Sequence, residues 1–232
     1  MPREDAMSAG KLVVFDWNGT LIDDVDLVQG AANVILKHFG RAPVGLARFQ
    51  ECFDAPIARF YENLGFLAHE LGEVLERTQD IFHDYYEERA IAAPLRDGAA
   101  QLLQSVKRTP GMTIILSNHI QEPIRLQLGR FGVEKHIDHV LAYESRATQF
   151  KHETKGQKLK RFMEENKVAP GNAVIIGDTP EEAHIAHEYG MTGILITGGY
   201  ASEDRLRAAR PHHLVHDFAE LHAVLREREF TA

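Results

Sequence analysis

Five short apolar runs punctuate the chain: Leu12–Phe15, Thr113–Leu116, Val140–Tyr143, Ala173–Ile176 and Gly193–Ile196. None alternates apolar with polar positions, so they fit strands covered on both faces, as in a parallel sheet. Helical spacing fills the intervals, over Ala99–Arg108, Glu122–Phe131, Gly156–Asn166 and Glu181–Tyr189. Strand–helix alternation predicts βαβ units in an open, doubly wound sheet. Ligands of such a sheet sit at the carboxyl ends of its strands. From about Asp24 to Ala92 the pattern is helical only. Val25–Phe39 carries apolar residues at helical spacing and stops at Gly40. Leu67–Ile91 sets Leu67, Leu71, Val74, Leu75, Thr78, Ile81, Phe82 and Tyr85 near one stripe.

This stretch is either extra helices packed on the sheet or a cap inserted over its active end. Its place directly after the first strand favours the cap. The expected architecture is therefore α/β: a Rossmann-like doubly wound parallel sheet core with an inserted all-helical cap domain. The core takes residues 10–22 and 93–232, the cap 23–92, with hinges near 22–25 and 91–97. Residues 1–9 read as a flexible tail.

Composition narrows the class without changing that outline. The 232 residues are 44% hydrophobic and 26% charged, ordinary for a soluble globular protein. The chain is long enough to bury a core without a disulfide or metal staple. Its one cysteine, Cys52, rules out an internal disulfide framework and reads as a buried structural thiol. With 26 basic and 34 acidic residues the net charge is −8 and there is no basic run, which argues against a nucleic-acid partner. A small anionic substrate stays compatible, because a pocket can be locally positive. No apolar run approaches the roughly 18 residues of a membrane span. The opening MPREDAMSAG has no apolar core of a signal peptide, so a cytoplasmic location and no membrane partner are expected.

Three strand ends carry chemistry. The first run leads straight into Asp16-Trp17-Asn18-Gly19-Thr20-Leu21. A carboxylate there is costly unless partnered, so Asp16 reads as a nucleophile or metal ligand, or more plainly as a turn or helix cap. The second ends in Leu116-Ser117-Asn118, a hydroxyl and an amide able to bond phosphate oxygens without adding charge. Ser117 could equally cap a helix over 120–131. The fourth ends in Gly177-Asp178-Thr179-Pro180-Glu181-Glu182, a second carboxylate with Glu182 one helical turn on. Hard oxygen ligands from two strand ends suit Mg²⁺. Thr179 also reads as a helix cap with Pro180 at the first helical position.

Taken together, the chain resembles the haloacid dehalogenase superfamily over nearly its whole length. DWNGTL resembles the first motif, Ser117 the second and GDTPEE the fourth. The third motif needs a basic residue between them. Lys155, before the helix leading to Gly177-Asp178, is the choice; Lys151 is the rival and Lys158 a weaker one. Thr197-Gly198-Gly199-Tyr200, with the Arg-rich helix and Pro211–Val215 after it, resembles the phosphoglycolate-phosphatase-like branch. The resemblance implies a Mg²⁺-dependent phosphatase acting on a small phosphorylated metabolite through an aspartyl-phosphate on Asp16. Mg²⁺ would be held by Asp16, the Asn18 backbone carbonyl and Asp178, with Glu182 direct or one step behind. Lys155 would neutralise phosphate oxygens, Ser117, Asn118 and the backbone around Gly19 would bind them, and Thr20 would brace the loop.

One departure matters. Phosphatases of the superfamily usually carry Asp two residues after the nucleophile as acid and base; here that position is Asn18, which can be neither. Such help is typically worth about 10²–10⁴-fold. Asn18 therefore opens alternatives: a phosphonate or carbon–halogen hydrolase of the superfamily, or a non-catalytic protein binding a phosphorylated ligand or partner. The phosphonate reading needs a cap lysine, and Lys37 is the only one in the insert. The retained Gly-Asp-Thr argues against the dehalogenases. His119 could replace the acid, although most of the thirteen histidines, His212-His213 included, must be surface groups. Arg48, Arg59 and Arg96 could reach a substrate anion.

Overall fold

The computed structural model describes residues 10–145 and 153–232; the tail over 1–9 and the rival lysine Lys151 lie outside the described residues. Six strands form one all-parallel sheet: β1 (Leu12–Phe15), β2 (Met112–Ile120), β3 (His139–Tyr143), β4 (Ala173–Gly177), β5 (Thr192–Ile196) and β6 (His213–Val215). Their order is β3-β2-β1-β4-β5-β6. The order reverses between β1 and β4, where a doubly wound sheet opens its binding crevice.

The central stretches of the strands are apolar because both faces are covered. Val13 and Phe15 of β1 turn to one face with Ile115, Val174 and Ile176, and α5 (Ala99–Val106) and α10 (Phe218–Glu227) pack there. Leu12 and Val14 turn to the other with Ile114 and Ile175, under α7 (Lys155–Glu165) and α8 (Pro180–Tyr189). Helix α6 (Gln121–Phe131) follows β2, and α9 (Glu203–Ala208) follows β5.

Between β1 and α5 stand four helices: α1 (Val25–His38), α2 (Leu46–Cys52), α3 (Ile57–Asn63) and α4 (Leu71–Ala90). They enclose their own apolar cluster, with Phe49, Phe60 and Val74 at its centre and Cys52 buried in it. Tyr200, from the loop after β5, enters that cluster, 4.7 Å from Phe53 between ring centroids. The two connections to the sheet run side by side. Asp23 N donates to Pro94 O at 2.8 Å and Arg96 N to Leu21 O at 2.9 Å. No described helix is long and apolar enough to cross a membrane.

Several expected elements are corrected. β2 runs on through Ser117 to Ile120, and the residue ahead of α6 is Ile120, which makes no side-chain cap bond. Ser117 is therefore not a helix cap. α4 starts at Leu71 rather than Leu67, because Glu70 turns its carboxylate back to the Leu67 N–H at 2.6 Å. Leu67 itself is exposed.

Candidate active site

The ends of β1, β2 and β4 bring Asp16, Ser117 and Asp178 to one edge of the sheet. Phe15 pairs with Ile176, so Asp16 and Gly177-Asp178 leave neighbouring strands in step. Asp16 is held by main chain on both sides: its N–H donates to Ile176 O at 2.9 Å, and its Oδ1 accepts from Trp17 N at 2.7 Å. Trp17 is fully buried and donates from Nε1 to Gln127 at 2.9 Å, which fixes the chain just past Asp16. Gly19 turns the loop with φ 71°, and a Cβ there would fall 2.4 Å from Asp178 Oδ2. Only glycine serves both the left-handed backbone and the close approach.

Lys155 reaches this edge from the start of α7. Thr154 caps the helix, accepting from Gln157 N at 3.2 Å while the Gln157 amide oxygen accepts from Thr154 N at 2.9 Å. That reciprocal cap sets the first helical residue, Lys155, inward at 2% exposure. Its Nζ lies 3.0 Å from Asp16 Oδ1 and 2.5 Å from Glu182 Oε1. Burial disfavours the ammonium, but Asp16 and Glu182 outweigh it and raise Lys155 above the ordinary lysine range.

Glu182 is also committed on its other oxygen. Oε2 accepts from Thr179 Oγ1 at 2.8 Å and from Thr179 N at 3.3 Å, the reciprocal half of the cap of α8. Thr179 thus caps the helix, while Asp178 just before it is buried close to Asp16. With both oxygens engaged, Glu182 stands behind Lys155 and orients it. Among the described residues no three His, Cys, Asp or Glu side chains converge as a metal site. Asp178 is fully buried, its Oδ1 accepting from Thr20 Oγ1 at 2.5 Å and its Oδ2 from Tyr200 N at 2.7 Å. Burial pushes Asp178 up to about 7, against the pull of those two donors. Burial also raises Asp16 well above the carboxylate range, with Lys155 opposing.

Asp16 and Glu182 thus face one ammonium, Asp178 lies near enough to Asp16 to help raise its pKa, and all these donors are hard oxygens. That set fits a divalent cation such as Mg²⁺, which takes one or two carboxylates and keeps its waters. Asp16 and Asp178 are the two strand-end carboxylates of that set, with both Asp178 oxygens held by Thr20 and the Tyr200 N–H.

Ser117 is buried and its Oγ accepts from His119 N at 3.0 Å, which leaves its O–H to donate into the cavity it lines. Asn118 donates to Glu181 Oε2 at 2.9 Å. His119, 7% exposed, stands edge-on to Tyr86 at 5.7 Å rather than at an open rim. Asn18 is turned away from Asp16: Nδ2 donates to Asp24 Oδ2 at 2.8 Å and to the Tyr86 hydroxyl at 2.7 Å.

None of the three arginines lines the cavity at Asp16. Arg96 donates to the Gly19 and Thr197 carbonyls at 2.9 and 2.6 Å, clamping the loop from behind. Arg48 bonds Glu51 and the Asn63 carbonyl, and Arg59 is exposed. Lys158, also buried, sits 3.5 Å over the Tyr143 ring; burial, with Lys155 nearby, lowers it to about 8.

The residue-pattern reading missed Asp24, Tyr86 and Tyr200. Asp24 is 1% exposed and accepts from Asn18, Tyr86 at 2.5 Å, Gly19 N at 2.9 Å and Tyr200 at 2.9 Å. Its only sequence signal was an acid next to Asp23 at the start of a helix, which also describes a surface cap.

Residues 13–196 match the family model of the haloacid dehalogenase-like hydrolases. The chain belongs to that family. A 5'-nucleotidase of Pseudomonas aeruginosa is 24% identical over 217 residues, covering 92% of this chain and 94% of its own length. A phosphoglycolate phosphatase of Synechococcus elongatus is 22% identical, covering 90% of this chain and 94% of its own. The crystal structure of a predicted phosphatase from Clostridium acetobutylicum superposes with a TM-score of 0.78 at 22% identity, over 95% of this chain and all of that one. This chain combines acidic residues at two strand ends, Asp16 and Asp178, with an amide, Asn18, two residues past the first.

Proposed function

We propose that the protein is a cytoplasmic, Mg²⁺-dependent phosphatase that hydrolyses a small phosphate monoester through an aspartyl-phosphate on Asp16. The observation that carries this reading is the Lys155 ammonium, 3.0 Å from Asp16 Oδ1, in a cavity that Ser117 also lines. The named phosphatases among the relatives support it.

Asp16 attacks phosphorus, and the bond from phosphorus to the ester oxygen breaks as the new one forms. Water then attacks the same phosphorus, frees inorganic phosphate and returns Asp16. Lys155 offsets charge on the transferring oxygens, and Ser117 donates its O–H to one of them. Glu182 keeps Lys155 aimed and Thr20 keeps Asp178 aimed, as positioning residues. Mg²⁺, held by Asp16, Asp178 and the Asn18 carbonyl, would screen the repulsion between carboxylate and phosphate. Asn18 supplies no proton at either step, so the reading predicts slow release from phospho-Asp16. Residues 23–92 act as the cap that closes over the site and excludes water. The phosphonate alternative loses support, because Lys37 is exposed in the last turn of α1 and does not line the cavity.

Hydrolysis of p-nitrophenyl phosphate with and without Mg²⁺ tests the reading, since that leaving group needs little acid help. Turnover that requires the metal and disappears in Asp16→Asn is the expected result. A folded wild-type protein without turnover would leave a binding protein or a carbon–halogen hydrolase instead.

A further inference from the structure

The cavity above Asp16, of about 650 Å³, has two unlike ends. At the sheet it is polar, with Asp16, Ser117 and Lys155. Toward the cap it is walled by Val28 and Ile35 of α1, Ile57 of α3, and Leu75 and Phe82 of α4. The charged cap residue among its described lining is a carboxylate, Asp54, paired with Arg205 at 3.2 Å. An anionic organic group entering there would give up its water against apolar walls, whereas an aromatic ring would bury its surface.

Asn18 points the same way. Its amide is bound to Asp24 and Tyr86, so the position gives no proton to the departing oxygen. A phenol-type oxygen, with a pKa near about 10 as in tyrosine, leaves unprotonated far more readily than an alkanol's.

From the walls and from Asn18 we infer that the substrate's organic part is an uncharged aromatic group: the site takes aryl phosphate monoesters rather than carboxylated ones. The inference rests on the phosphatase reading and adds the substrate class. In the reaction Asp16 displaces an aryloxide, which takes its proton from water afterwards.

The test compares kcat/KM for phenyl, 1-naphthyl and 4-carboxyphenyl phosphate and for phosphoglycolate. The carboxyl group makes the phenol a slightly better leaving group, so intrinsic reactivity favours the charged ester. The expected result is the reverse: phenyl and 1-naphthyl phosphate exceed 4-carboxyphenyl phosphate and phosphoglycolate by about a hundredfold. Leu75→Arg and, separately, Ala58→Arg add a cation from partly exposed lining positions. At least one should shift the ratio of 4-carboxyphenyl to phenyl phosphate upward by about tenfold. Equal rates for the two phenyl esters, or a preference for phosphoglycolate, would overturn the substrate class while leaving the phosphatase standing. A folded protein that turns over none of the four would overturn the phosphatase reading itself, and this inference with it.

Discussion

Asn18 gives its amide protons to Asp24 Oδ2 and the Tyr86 hydroxyl, so the residue serves a buried acid. Asp24 accepts four bonds, and burial still raises it. A second carboxylate at position 18 would face the first in a dry setting. Asn18→Asp should therefore destabilise the fold by about 1–3 kcal/mol near neutral pH, read by urea unfolding. The sign with pH follows from the raised folded value. Below the unfolded pKa, about 3.9, the acid is neutral in both states and costs nothing; as pH rises toward the folded value, stability falls. The deficit of Asn18→Asp should thus be larger at pH 8 than at pH 5, and Asp24→Asn in the same chain should recover most of it. A single variant as stable as the wild type at pH 8 would refute the assigned contact.

The strands that carry the chemistry were the most legible parts of the sequence. β1 falls on its apolar run to the residue, and β4 extends its run by Gly177 alone, because a central parallel strand must be apolar on both faces. The edge strand β6 was not legible: it has three residues and begins with a half-buried His213. Helices α2 and α3 have seven residues each and no side-chain cap bond, too little to mark them. Asp16, Lys155 and Asp178 stand out in the sequence because each adjoins a strand or helix end, and Ser117 because it follows the apolar run of β2 where the pairing turns irregular. Tyr86 and the cavity walls could not, since their meaning depends on how α1 and α4 pack over the sheet. The β4–α8 junction makes a further prediction. A Cβ on Gly177 would lie 2.2 Å from Glu182 Cγ, and Glu182 is tied at both oxygens. Gly177→Ala should cost about 1–3 kcal/mol in thermal or urea unfolding and displace Lys155. Unchanged stability together with unchanged activity would contradict that packing.

In the molecule as a whole, the helical cap and the sheet meet through a few specific links. Tyr200 of the loop after β5 packs against Phe53 and bonds Asp24, Tyr86 of α4 bonds the same acid, and Gln50 donates to the Gly199 carbonyl at 2.7 Å. These links bring an apolar chamber over a charged floor, which suits excluding water while phosphorus is transferred. In the proposed reaction the floor supplies Asp16 as nucleophile with Lys155 beside it, and the amide at position 18 leaves the second step without a base. An aspartyl-phosphate should then build up during turnover. Peptide mapping by mass spectrometry, on enzyme acid-quenched while hydrolysing p-nitrophenyl phosphate with Mg²⁺, tests this most directly. The account predicts a phosphate adduct on the peptide containing Asp16, located to that residue and absent from Asp16→Asn. An unmodified Asp16 peptide, with Asp16→Asn releasing p-nitrophenolate at the wild-type rate, would contradict it.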